Sequence, residues 1–307
     1  VTTFILVIAR TVHFGSAMML FALPFFILFI LRPNLSAEPA GSYPAFCHAM
    51  KKWFEVVLCL EAVSGGVWFW IIAAQKCHQS PGHILSAANL NAVLRHTSFG
   101  RLWLIRGGIV IALTVVLCFA RRRKALLPPR SPLLNGFIVT GSGSLLLSLA
   151  WAGHVAAGIH HQILHLLAAA PHLLLGAIWP MGLIPMACFL WQINQANGFS
   201  PVHREVETLN RFSQTSLVAV LLLVVTGSID GWLMIGSWQN LLMTTHGRLF
   251  LGKMLVVGVM IALGALCRLH LMPRIREVPF MFRTLERTLW AESGLALVVV
   301  LIVAMHT

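Results

Sequence analysis

Imidazoles and thioethers dominate the reactive side chains of this chain: fourteen histidines and twelve methionines stand against nine Asp and Glu. Imidazole is a good ligand for copper, zinc and haem iron, and thioether sulfur favours Cu(I). Spacing narrows the choice. His13 and His172 each lie about ten residues inside a long apolar stretch, roughly 15 Å deep at about 1.5 Å per helical residue. Met18 and Met19 follow His13, and Met181 follows His172. His161, His165 and His172 fall on one helical face, so a histidine stripe runs inwards from a surface. His154 closes the preceding apolar stretch. Most of the remaining methionines read as packing residues, and the remaining histidines fall nearer the surfaces, where solvation explains them.

The elements that must position these groups are membrane helices. Of 307 residues 58% are hydrophobic and 10% charged, whereas a soluble domain carries roughly 25% charged residues. Eight stretches are long enough to cross a hydrocarbon core, at about 3–31, 53–74, 102–120, 133–154, 162–191, 214–235, 248–267 and 288–306. The first is longer than a secretory hydrophobic region and reads as a retained helix. The gap at 75–101 has room for a short surface helix. The expected fold is all-α: a polytopic membrane protein forming one membrane domain over 1–307.

Internal similarity predicts eight transmembrane helices in two parallel four-helix repeats, about 1–156 and 157–307. Ser64-Gly65 precedes Trp70 as Thr226-Gly227 precedes Trp232. Thr97-Ser98-Phe99-Gly100-Arg101 with Arg106 matches Thr244-Thr245-His246-Gly247-Arg248 with Lys253. His13, Gly15 and Pro24 match His172, Gly176 and Pro185. Four helices per half give both halves one orientation, unlike inverted transporter repeats. A central site between such halves would draw ligands from both, with His13 beside His172. The recurring glycines also have a plainer reading as helix-packing residues.

A net charge of +13 would suggest nucleic acid in a soluble protein; here it reports topology. Alternate loops, between Arg32–Lys52, Arg121–Arg130, Arg204–Arg211 and Arg268–Arg287, hold 15 of the 22 Lys and Arg residues. The positive-inside rule makes that side cytoplasmic and both termini external. Carboxylates inside the spans need partners, and Glu61–Arg106 and Asp230–Lys253 are the expected pairs. Six dispersed cysteines signal neither a zinc ribbon nor a disulfide framework. Cys118, Cys188 and Cys267 lie towards the cytoplasmic ends of their helices.

Several blocks resemble the copper resistance protein D family (CopD, also PcoD). The strongest runs from His172 through Trp179 and Gly182 to Pro185; Gly153-His154, Arg211-Phe212-Ser213, Thr226-Gly227, Thr245-His246-Gly247-Arg248 and Arg10-Thr11-Val12-His13 add to it. Two positions depart from the family pattern. Pro180 replaces a glycine, and His246 replaces a tyrosine, either as an added ligand or as a tolerated change. The resemblance implies a bacterial inner-membrane copper homeostasis protein with copper, Cu(I) or Cu(II), as cargo. It also implies a periplasmic carrier of the CopC type as partner, and the lipid bilayer as surroundings. The candidate metal residues are His13, His154, His165, His172, Met18, Met181 and His246.

Three functions compete at this point. The first is copper movement from periplasm to cytoplasm by a protein that is not an enzyme; without a P-loop motif it would run on a gradient or on carrier exchange. The second is a haem-binding membrane oxidoreductase like haem A synthase, with His154 and His172 as axial ligands. The third is a copper-binding or assembly protein that does not transport.

Overall fold

The computed structural model describes residues 2–31, 44–77, 87–119, 131–152, 162–197, 203–275 and 279–306. All regular structure there is helical. The order is α1 (Thr2–Phe25) with a π-helical turn over Phe26–Leu31, α2 (Pro44–Lys76), α3 (Ala87–His96), α4 (Ser98–Phe119), α5 (Pro132–Leu147) and α6 (Leu149–Ala152). It continues with α7 (Gln162–Ile178), α8 (Leu183–Asn197), α9 (His203–Ile235), α10 (Trp238–Met243) and α11 (Thr245–Leu266), then a π-helical turn over Cys267–Leu271. The chain closes with α12 (Met272–Arg274) and α13 (Pro279–His306). Among the described residues eight helical stretches are long and apolar enough to span a membrane, as the apolar pattern predicts.

Several helices outrun their apolar stretches. Helix α2 begins at Pro44 rather than near 53, α9 at His203 rather than near 214, and α13 at Pro279 rather than near 288. Hydropathy registers only the part in hydrocarbon, whereas the charged ends continue as helix. Ion pairs one turn apart support two of these ends, Lys51–Glu55 at 4.0 Å and Glu207–Arg211 at 3.5 Å. The expected surface helix is α3. The short α10, in the corresponding place before α11, has no apolar run to announce it.

Both short helices end in one hydrogen-bonding pattern. Thr97 Oγ accepts from the Gly100 amide at 2.9 Å, and Thr244 Oγ accepts from the Gly247 amide at 3.0 Å. Each hydroxyl also donates backwards, to Val93 O at 2.7 Å and to Asn240 O at 2.6 Å. These threonines cap α4 and α11. A Cβ on Gly100 would stand 2.1 Å from Val93 O, and one on Gly247 2.2 Å from Leu241 O. Only glycine allows the chain to turn so closely, which gives the repeated Thr-x-x-Gly block its physical reason.

The fifth apolar stretch is two helices joined at Trp179–Gly182. Pro180 has no amide hydrogen to continue α7, and Met181 N instead bonds back to Gly176 O at 3.4 Å. At Gly182 a Cβ would stand 2.1 Å from Ile178 O. The first and fifth spans are the most enclosed of the eight. Helix α1 packs on α2, α5, α7 and α13, while α7 packs on α9 and α8 on α13. These two central spans carry His13 and His172. At one end of the bundle Phe26, Phe46, Phe189 and Phe212 close the centre, with ring centroids 5.4 to 6.5 Å apart.

Candidate functional site

His13 is buried on α1 against the bare backbone of Gly65 in α2. A Cβ on Gly65 would stand 2.9 Å from His13 Cε1, so the glycine makes room for the ring. Its Nδ1 lies 3.3 Å from Ser64 Oγ, and that hydroxyl donates to Leu60 O at 2.6 Å. Ser64 therefore accepts from a protonated Nδ1. On the other side Arg106 Nη2 reaches His13 Nε2 at 2.7 Å and Glu61 Oε1 at 2.6 Å. A guanidinium only donates, so Nε2 must accept, which fixes the same tautomer. The single lone pair of the imidazole is thereby occupied.

Other groups of the cluster are bonded as well, although Arg106 Nε and the indole nitrogens of Trp68 and Trp103 have no hydrogen-bond partner among the described residues. Ser16 donates to Glu61 Oε2 at 2.8 Å, and Arg106 Nη1 donates to Leu145 O at 2.8 Å and to the Ser148 hydroxyl. Trp68 and Trp103 stand edge-on to the His13 ring at 5.3 and 5.2 Å. The Glu61–Arg106 pair, both residues at most 2% exposed, is the one expected from sequence. What sequence could not show is that this pair absorbs His13. In this arrangement the one lone pair of His13 is directed at Arg106.

His172 repeats the first half of that arrangement without the second. A Cβ on Gly227 would stand 2.9 Å from its Cε1, as at His13. Its Nδ1 lies 3.1 Å from Thr226 Oγ1, which donates to Leu222 O at 2.8 Å. Nδ1 therefore carries the proton, and Nε2 keeps its lone pair. Among the described residues Nε2 has no hydrogen-bond partner. This is the form in which histidine ligates metals, with the far nitrogen held by a supporting group.

His172 lines a cavity of about 560 Å³ between α1, α7, α9, α11 and α13. Met18 and Met181 line it too, joined by Met234, Met254 and Met260. Met18 Cε rests 3.1 Å from the position a Cβ would take on Gly176, one turn beyond His172. Three of the sequence-derived candidates thus meet on one space, whereas His13 is not on its lining. Arg10, Asp230 and Lys253 provide its charges. The Lys253 ammonium sits 4.9 Å over the Phe250 ring. Among the described residues no three His, Cys, Asp or Glu converge on one point.

The remaining candidates are dispersed. His246 is exposed at the start of α11 and is not among the residues lining the cavity. His165 lies on α7 seven residues before His172, with its side chain outside the described residues. His154 lies outside the described residues, and so does the proposed axial pair of His154 with His172. Sequence reasoning missed Ser64, Thr226 and the two glycines as histidine supports. Their signal was present in the paired Ser64-Gly65 and Thr226-Gly227, although it read equally well as helix packing.

Two family models match the chain: "copper resistance protein D-like, N-terminal domain" over residues 1–162, and "copper resistance protein D" over 206–306. Copper resistance protein D of Pseudomonas syringae pv. tomato is 25% identical over 304 residues, which cover 96% of this chain and 93% of the relative. Inner membrane protein YebZ of Escherichia coli (strain K12) is 29% identical over 223 residues, 70% of this chain and 71% of the relative. Copper transport protein CutJ of Bacillus subtilis (strain 168) is 26% identical over 233 residues, 74% of this chain and 39% of the relative.

Proposed function

Because the chain belongs to the copper resistance protein D family, we propose that it moves copper across the bacterial inner membrane, from periplasm to cytoplasm, through the cavity at His172, Met18 and Met181. One observation supports this reading: His172, whose Nδ1 is held by Thr226 and whose Nε2 has no hydrogen-bond partner among the described residues, lines a cavity shared with several methionines. An imidazole with thioethers is a donor set for Cu(I). The charge distribution supports periplasmic termini, and a carrier of the CopC type would deliver the ion on that side, where His154 and His165 begin the route.

The two-repeat architecture belongs to the same reading. The matched histidine cradles at Gly65 and Gly227, and the matched caps at Thr97 and Thr244, support it. In that register Arg106 corresponds to Lys253, Glu61 to Leu223 and Trp68 to Asp230. The first half fills its centre with the Glu61–Arg106 ion pair and tryptophans. The second leaves its centre open, so the halves have divided into a structural and a functional member.

The test is cellular copper content with and without the protein, alongside His172→Ala and His13→Ala variants expressed to equal membrane levels. Copper accumulation that depends on the protein and disappears in His172→Ala is expected. Accumulation unchanged by His172→Ala would remove the cavity from the account.

A further inference from the structure

A further intramembrane carboxylate lies beyond this cavity. Glu292 of α13 is 1% exposed, and no basic side chain pairs with it among the described residues. Its Oε1 faces the Cys267 thiol at 3.7 Å, and Oε2 lies 3.7 Å from where a Cβ on Gly264 would be. Cys267 is 6% exposed and opens the π-helical turn Cys267–Leu271, a local rewinding often found at functional positions. An ionised carboxylate cannot remain in such surroundings uncompensated; a proton or a metal cation must accompany it.

The pair lies on a line with the cavity. Met260, two turns before Cys267 on α11, lines the cavity, and so does Ala296, one turn after Glu292 on α13. Glu292 and Cys267 therefore stand just past the cavity wall, towards the end where α11 finishes and α13 begins. Glu61 provides the contrast: it is as deeply buried but holds Arg106 at 2.6 Å. Among the described residues Glu292 has only a thiol.

We propose that Cys267 and Glu292 form a second cuprous-ion site, reached from the cavity, with the thiolate sulfur as principal ligand and a carboxyl oxygen as the other. Thiolate is a soft ligand that selects Cu(I). On binding, the S–H bond breaks and an S–Cu bond forms. One proton leaves for each Cu⁺ that enters, so the charge of the site does not change and no electron is transferred. The inference rests on the reading of the chain as a copper carrier.

The experiment uses the purified full chain with Cys267 as its only cysteine, the other five being replaced by Ser. It is titrated with Cu(I) under anaerobic, reducing conditions against a chromophoric Cu(I) chelator. An ultraviolet thiolate-to-copper band saturating at one equivalent is expected, absent after Cys267→Ser. Glu292→Gln, near in shape and checked by an unchanged melting temperature, should weaken this binding at least tenfold. No band, or equal affinity in Glu292→Gln, would overturn the proposal. His172→Ala in the same background separates the two readings. A retained band with unchanged cellular copper accumulation would sink the cavity route and leave this site standing. A lost Cys267 band with His172-dependent copper binding intact would do the reverse.

Discussion

Adding one methyl group at Gly65 and at Gly227 applies the same perturbation to His13 and to His172 and should give opposite outcomes. At each position a Cβ would stand 2.9 Å from the neighbouring histidine Cε1 and 3.8 Å from its Nε2. Ordinary contact begins near 3.4 Å, so each ring must retreat by roughly 0.5 Å, an overpacking strain of about 1–3 kcal/mol. His13 has nowhere to go, with Trp68 and Trp103 at 5.3 and 5.2 Å and Arg106 on its Nε2 at 2.7 Å. Distorting that charge-assisted hydrogen bond adds about 1.5–3 kcal/mol. Gly65→Ala should therefore destabilise the chain by roughly 2.5–6 kcal/mol while leaving the cavity at His172 intact in whatever protein folds.

His172 can instead swing into the cavity, which lowers the strain of Gly227→Ala but stretches the 3.1 Å contact to Thr226. Loss of such a supporting contact weakens metal binding by about 10–100-fold. Thermal unfolding in detergent and Cu(I) competition titration together read both quantities. Equal stability losses, or copper affinity lost with Gly65→Ala and kept with Gly227→Ala, would refute the division of labour between the two histidines.

Three further outcomes are expected. Glu61→Ala strands the Arg106 guanidinium and should cost about 3–5 kcal/mol, whereas Glu61→Leu with Arg106→Leu should cost less than the single change; melting temperatures compare them. Lys253→Met removes a positive charge from the cavity lining and should tighten Cu(I) binding by roughly tenfold, measured by chelator competition. Gly182→Ala places a Cβ 2.1 Å from Ile178 O; it should displace the α7–α8 junction, lowering both folded yield and copper binding, whereas Gly252→Ala, with open space at its Cβ position, should change neither.

The parts legible in the sequence were those written in one dimension. Apolar length gave the eight spans, and the scarcity of carboxylates singled out Glu61 with Arg106 as a pair. Depth along a helix brought His172, Met18 and Met181 into one candidate set. The occupancy of each imidazole nitrogen was hidden, because it depends on side chains from other helices. Arg106 could have paired with Glu61 alone, and only the packing of α1, α2 and α4 brings His13 Nε2 onto the same guanidinium nitrogen. The matched spacing around His13 and His172 did not reveal their different partners, because the residues in register with Glu61 and Trp68 are Leu223 and Asp230. Helix ends were misjudged wherever charged turns such as Lys51–Glu55 continued past the hydrocarbon.

X-ray absorption at the copper edge tests the central claim most directly. The sample is a cysteine-free full chain loaded with one equivalent of Cu(I), so that sulfur can come only from thioethers. The account predicts a cuprous edge with one imidazole and at least one sulfur neighbour, the imidazole signal lost in His172→Ala and the sulfur signal reduced in Met18→Leu with Met181→Leu. A shell of nitrogen and oxygen alone, or a spectrum indifferent to His172, would contradict it.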